Sequence, residues 1–274
     1  MTRWRFIIGL LTLLVLLNGA RAEDVEVDVE LVLAVDVSRS MSERELEIQR
    51  RGYAEALVSE QVIRAIRGGL IGRIALRYVE WSNTGQQRTV VDWTLIDGAQ
   101  AAQAVAVKLT SRFNTALRRT SISDAIDSSA ASFENNGFTA LRRVIDVSGD
   151  GPNNSGRPVL EARDAAIASG IIINGLPLMT SEGMGSQFQL HDLDEYYRAC
   201  VVGGPGSFVI PVHDWKEFPN AVRRKLVLEL ASAPAVPLIR ATVSGKNETG
   251  YDCLIGEKIW RQFMDRYPNF EPLP

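Results

Sequence analysis

The residues best placed to do chemistry in this sequence are short oxygen-bearing side chains in turns. In LVLAVDVSRSMSERE (31–45) an apolar run ends in Asp36, and Ser38 and Ser40 follow at alternate positions. A second turn, Arg118-Arg119-Thr120-Ser121, precedes a helix-like segment, and a third, Gly149-Asp150-Gly151, closes the run RRVIDVS. Two carboxylates and several hydroxyls, without a thiolate or imidazole among them, make a hard-oxygen donor set. Such a set suits Mg2+, which takes oxygen ligands at near-octahedral geometry and keeps some of its waters, with Mn2+ or Ca2+ as the other hard candidates. The same residues also fit local roles. Ser40-Met41-Ser42-Glu43 and Ser42-Glu43-Arg44-Glu45 both carry the capping-box pattern, Thr120 or Ser121 can cap a helix, and Gly, Pro and Asn crowd any turn. Capping accounts for the serines but not for Asp36 and Asp150 at the ends of two different strands.

The elements that must position these turns alternate between strand-like and helix-like patterns. Residues 27–35 are β-branched and apolar, and Leu46, Ala54, Leu57, Val58, Val62 and Ile66 recur at helical spacing over 42–66. Strands are predicted at 73–81 and 88–96 as a hairpin, and at 142–148, 170–178 and 207–212. Helices are predicted at 98–110, 123–133, 159–168, 192–202 and 214–231, and a last one near 256–268. Alternation of this kind gives a three-layer, doubly wound α/β fold whose mostly parallel central sheet carries helices on both faces. In such sheets ligands sit outside the carboxyl ends of the strands, which is where the three turns fall.

Asp-x-Ser-x-Ser after the first strand, a Thr opening a mid-chain helix, and Asp-Gly after the fourth strand resemble the von Willebrand factor A domain. The resemblance covers about Val27 to Ala231, and the whole chain is most similar to an exported bacterial branch of that superfamily without an assigned function. It implies a von Willebrand A, Rossmann-like fold. It also implies that Asp36, Ser38, Ser40, Thr120 and Asp150 form a metal ion-dependent adhesion site, in which an acidic side chain of another protein completes the coordination of Mg2+. Two features depart from the family pattern. Arg118 and Arg119 replace the small residues before the Thr; a cation pair there weakens metal binding or helps hold an acidic ligand. Gly149 stands where a hydroxyl residue is usual, with Ser148 one place earlier.

The enzyme alternative is a haloacid dehalogenase-like phosphohydrolase with Asp36 as nucleophile. Its general acid would stand two residues on, where this chain has Ser38, and Asn154 replaces a further acidic residue. No Gly-x-Ser-x-Gly elbow is present and neither His191 nor His213 sits in a base context. The expectation is therefore a binding domain, not an enzyme.

Composition sets the compartment and the partners. The first 22 residues, MTRWRFIIGLLTLLVLLNGARA, carry Arg3 and Arg5, an apolar core and Ala20-Arg21-Ala22, the order of a cleaved secretory signal. That core is shorter than the roughly 20 residues needed to span a bilayer. Cleavage removes three of 30 basic residues and none of 33 acidic ones, leaving an acidic chain with no basic excess for nucleic acid and no membrane span. The expected location is periplasmic or secreted, in a bacterium. Export permits a Cys200–Cys253 bridge, the alternative being two buried thiols. A linker-like shift at Ser232 divides the mature chain into a domain at 23–231 and an extension at 232–274, which such a bridge would tether.

Overall fold

The computed structural model describes residues 23–38, 40–111, 119–180, 190–231 and 250–267. The signal-like segment 1–22, Arg118 and the linker-like stretch 232–249 lie outside the described residues. Five strands form one sheet in the order β3-β2-β1-β4-β5. They are β1 (Val25–Asp36), β2 (Ile74–Trp81), β3 (Gln87–Ile96), β4 (Phe138–Gly149) and β5 (Ile171–Pro177). All neighbours are parallel except β2 and β3, which form the predicted hairpin.

The helices are α1 (Glu43–Leu57), α2 (Glu60–Arg67), α3 (Ala99–Thr110), α4 (Ile122–Ala131), α5 (Val159–Ala168), the single turn α6 (Leu193–Tyr196), α7 (Phe218–Ala231) and α8 (Ile255–Arg266). A π-helical turn, Tyr197–Val201, continues α6. Side chains alternate across a strand, so β1 feeds two cores. Val29, Leu31, Leu33 and Val35 pack with α1, α2, α3 and α7 on one face. Val32 and Ala34 pack with α4, α5 and the α6 turn on the other. The doubly wound α/β fold expected from the alternation is the fold observed.

Three local differences have physical causes. The helix expected over 42–66 is two helices, because Ser59 interrupts it: its hydroxyl donates to Ala56 O and accepts from the Val62 amide, so one residue caps both pieces. Residues 207–212 pair with β5 only through isolated bridges, Gly175 to Val209 and Leu178 to Val212; Pro177 and Pro211 lack the N–H a continuous ladder needs. β4 extends well before the apolar run because its polar first half pairs with β1 from Val25 opposite Phe138.

The strand order fixes where a site can form. The chain leaves β1 towards α1 on one face and leaves β4 towards α5 on the other. The crevice at the carboxyl ends of these adjacent strands is thus the topological switch point. The register that sets Val35 opposite Ser148 brings Asp36 level with Gly149.

Candidate metal site

Asp36 ends β1 fully buried, and Ser38 and Asp150 are nearly so. The loop after β1 curls back on itself: the Ser38 amide donates to Asp36 Oδ1 at 2.7 Å, and the Gln49 amide holds the Asp36 carbonyl from α1 at 3.1 Å. The hydroxyls of Ser38 and Ser40 lie 3.0 Å apart, and Ser40 donates to Asp150 Oδ1 at 2.7 Å. This chain of oxygens joins the β1 loop to the β4 loop. Only one of the two candidate capping boxes forms: Ser42 accepts from the Glu45 amide, and Glu45 accepts from the Ser42 amide. Ser40 is therefore released from capping and faces Asp150.

Thr120 joins through the backbone. Its amide donates to Asn154 Oδ1 at 3.1 Å and its carbonyl accepts from the Asn154 amide at 2.9 Å, so its loop is clamped to the one carrying Asp150. Ser121 is the N-cap of α4 but makes no side-chain cap; Asn153 Oδ1 instead accepts from the Ser123 amide at 3.0 Å. Asn153 is fully buried: its backbone amide donates to the Tyr196 hydroxyl and its side chain to Glu257 Oε1 of α8 at 2.7 Å. Gly256 packs directly on the Asn153 carbonyl, where any Cβ would collide.

The electrostatics favour a cation. Burial, with the Asp150 charge next in importance, raises the proton affinity of Asp36 well above the usual carboxylate range. Burial likewise pushes Asp150 up to about 6, against the opposing Ser40 hydrogen bond. Asp36 Oδ2 is buried and finds no hydrogen-bond partner among the described residues, a rare condition for a buried carboxylate oxygen. Two buried like charges, hydroxyls beside them and an unsatisfied oxygen fit a hard divalent ion, whose charge reverses the local penalty on ionisation. Among the described residues no cluster of three or more His, Cys, Asp or Glu exists, so any ion here depends on the hydroxyls.

The two departures from the family pattern have different outcomes. Ser148 points to the opposite face, where the Tyr53 hydroxyl donates to it at 3.3 Å, and it takes no part in the site. At Gly149 an added Cβ would stand 2.9 Å from Asp36 Oδ2 and 3.0 Å from the Tyr197 hydroxyl, so close approach dictates glycine there. Arg119 has a left-handed backbone, φ 67°, and its guanidinium lies 4.7 Å over the Trp260 ring of α8. Arg118 lies outside the described residues.

A disulfide joins Cys200 in the π turn to Cys253 just before α8, so the extension is tethered beside the site. Gln49, Asn153, Asn154 and Tyr197 contribute to the site without having been singled out as site residues. Asn153 was visible only as turn composition, Asn154 only as a replaced acidic position in the phosphohydrolase alternative, and nothing in the sequence marks Gln49 or Tyr197.

Comparison with known proteins bears on the fold. Among curated proteins a sequence search found no match. Of solved structures, proximal thread matrix protein 1 from the mussel byssus, with a zinc-occupied MIDAS motif, aligns with TM-score 0.52 and 15% identity over 77% of this chain and 49% of its own. The pilus adhesin SpaC from Lactobacillus rhamnosus GG aligns with TM-score 0.53 and 12% identity over 76% of this chain and 31% of its own. A von Willebrand factor type A structure from Catenulispora acidiphila gives 0.51 and 14%, over 74% and 42%. The chain spans less than half the length of each, and the likeness is one of fold: a von Willebrand factor A-like domain. By sequence, residues 26–234 match the protein family of unknown function DUF1194, and the chain belongs to that family.

Proposed function

We propose that the domain binds another protein through a divalent metal held by Asp36, Ser38, Ser40, Thr120 and Asp150. The observation that carries this reading is the run of oxygens from Ser38 through Ser40 to Asp150 beside the unpartnered Oδ2 of Asp36, at the switch point of the sheet. Magnesium is the proposed ion because every donor is oxygen; zinc in the MIDAS motif of the mussel protein supports a divalent ion at this place in the fold. When bound, the ion supplies a positive charge with a coordination position open to a partner's carboxylate.

The chain's own residues prepare that event. The Ser38 amide fixes the Asp36 carboxyl, Gln49 holds the Asp36 backbone carbonyl, and Asn154 fixes the Thr120 loop. Arg119, and Arg118 beside it in sequence, add positive charge for an acidic ligand. The stacking of Arg119 on Trp260 of α8 supports a role for it beside the metal.

The reading is of a binding module, not a phosphohydrolase: Ser38 cannot act as a general acid, and Asn154 is spent on the Thr120 loop. An exported location, with residues 1–22 cleaved as a signal and 232–274 forming a tethered extension, is supported by the disulfide. No helix among the described residues is long and apolar enough to cross a membrane. Titration calorimetry tests the site. Magnesium or manganese should bind the wild type and not Asp36→Ala or Asp150→Ala. A wild type that binds neither ion overturns the reading, and phosphatase turnover abolished by Asp36→Asn would replace it with the enzyme.

A further inference from the structure

Tyr197 lies on the first position of the π turn and is fully buried. Two glycines make room for it. In β5 a Cβ at Gly175 would stand 2.7 Å from Tyr197 Cδ1, so the ring lies directly against that strand. In β4 the missing Cβ of Gly149 leaves a methyl-sized space that the Tyr197 hydroxyl and Asp36 Oδ2 both border. Neither the Tyr197 hydroxyl nor Asp36 Oδ2 finds a hydrogen-bond partner among the described residues. Buried polar groups are nearly always bonded, and two unpartnered ones facing one space mark a place with a purpose. π turns interrupt regular helix geometry and recur at functional sites. This one also carries Cys200, whose bridge to Cys253 pins it.

We infer that Tyr197 is a positioning residue for the metal, acting on Asp36 across the space beside Gly149. The inference rests on the reading of the site as a metal cradle. A phenol can donate, whereas an ionised carboxylate can only accept, so with the metal bound the Tyr197 hydroxyl donates to Asp36 Oδ2, directly or through one water. With the Ser38 amide already on Oδ1, both carboxylate oxygens then have a donor. The rotation of the carboxylate is thereby set.

The test compares wild type and Tyr197→Phe, which keeps the ring and removes only the hydroxyl, by magnesium calorimetry and by melting in chelator. Loss of an outer-sphere partner of a metal ligand costs about 10–100-fold in affinity, and a loss of at least tenfold is expected. The chelator-state melting temperature should be unchanged or higher, because the variant no longer buries an unpartnered hydroxyl. Magnesium should also perturb the near-ultraviolet tyrosine absorbance of the wild type and not of the variant. Gly149→Ala, which fills the space with a methyl, should weaken magnesium with Tyr197 intact. Magnesium affinity within twofold of wild type in Tyr197→Phe overturns the inference and leaves the metal reading standing. So does a chelator-state destabilisation of that variant, which would make the hydroxyl a structural one. A wild type that binds no metal overturns both.

Discussion

Replacing Asp150 by Asn should stabilise the metal-free protein at alkaline pH while abolishing its response to magnesium. The Asp150 carboxyl is raised from 3.8 to about 6, chiefly by burial. A carboxyl whose pKa is higher folded than unfolded binds more protons in the folded state. Its contribution is fully present below about pH 4 and is lost as pH rises through about 6. At about 1.4 kcal/mol per pH unit, holding this group ionised at pH 8 costs the fold about 3 kcal/mol, a figure that already contains the Ser40 hydrogen bond. Asn keeps the shape and an acceptor for Ser40 without the charge. In chelator at pH 8 the variant should therefore melt about 6–12 °C above wild type, at 2–4 °C per kcal/mol for a domain of this size. At pH 4.5 the difference should fall to about 1 kcal/mol, since the folded carboxyl is then protonated while the unfolded one is still mostly ionised. Magnesium should raise the wild-type melting temperature at pH 8 by mass action on the folded state and leave the variant unmoved. Differential scanning calorimetry in chelator and in excess magnesium at the two pH values reads all four quantities. An Asp150→Asn protein less stable than wild type at pH 8 in chelator, or a gain that persists undiminished at pH 4.5, would refute the claim that the carboxylate is held ionised at a cost.

Two further outcomes test the framework around the site. Replacing Cys200 and Cys253 together by Ser removes a bridge spanning 53 residues and should cost about 4 kcal/mol on the chain-entropy account. It should also open α8 to trypsin at Lys258 and Arg261 in limited proteolysis; a variant as resistant as wild type would show that Gly256 and Glu257 hold the helix without the bridge. On the other face of the sheet, Lys225 of α7 is fully buried between Asp146 at 2.6 Å and Glu229 at 2.5 Å. Lys225→Met strands two buried acids and should cost about 3–5 kcal/mol in denaturant unfolding; a loss under about 1 kcal/mol would mean the acids accept protons at little cost.

Local patterns determined a large share of this protein. The alternation of apolar strands with helical spacing was sufficient for the α/β class, because burial on both faces makes 31–35 of β1 and 171–173 of β5 continuous apolar runs. Asp36, Ser38 and Ser40 could be read as a possible donor set because they are adjacent in the chain, and Ser42–Glu45 as a capping box for the same reason. Export chemistry suggested the pairing of Cys200 with Cys253.

Tertiary structure decided what sits between segments far apart in sequence. Whether Ser40 caps a helix or faces Asp150 depends on a partner 110 residues away. Gly149, a departure when judged against a family pattern, is required by the approach of Tyr197, and no local signal links positions 149, 175 and 197. Lys225 is buried against Asp146, a residue 79 positions earlier that no local pattern links to it. The reason is common to all three: periodicity and capping are set by neighbours within a turn or two. The proton affinity of a carboxylate and the room for a side chain are set instead by whichever groups the fold packs against it.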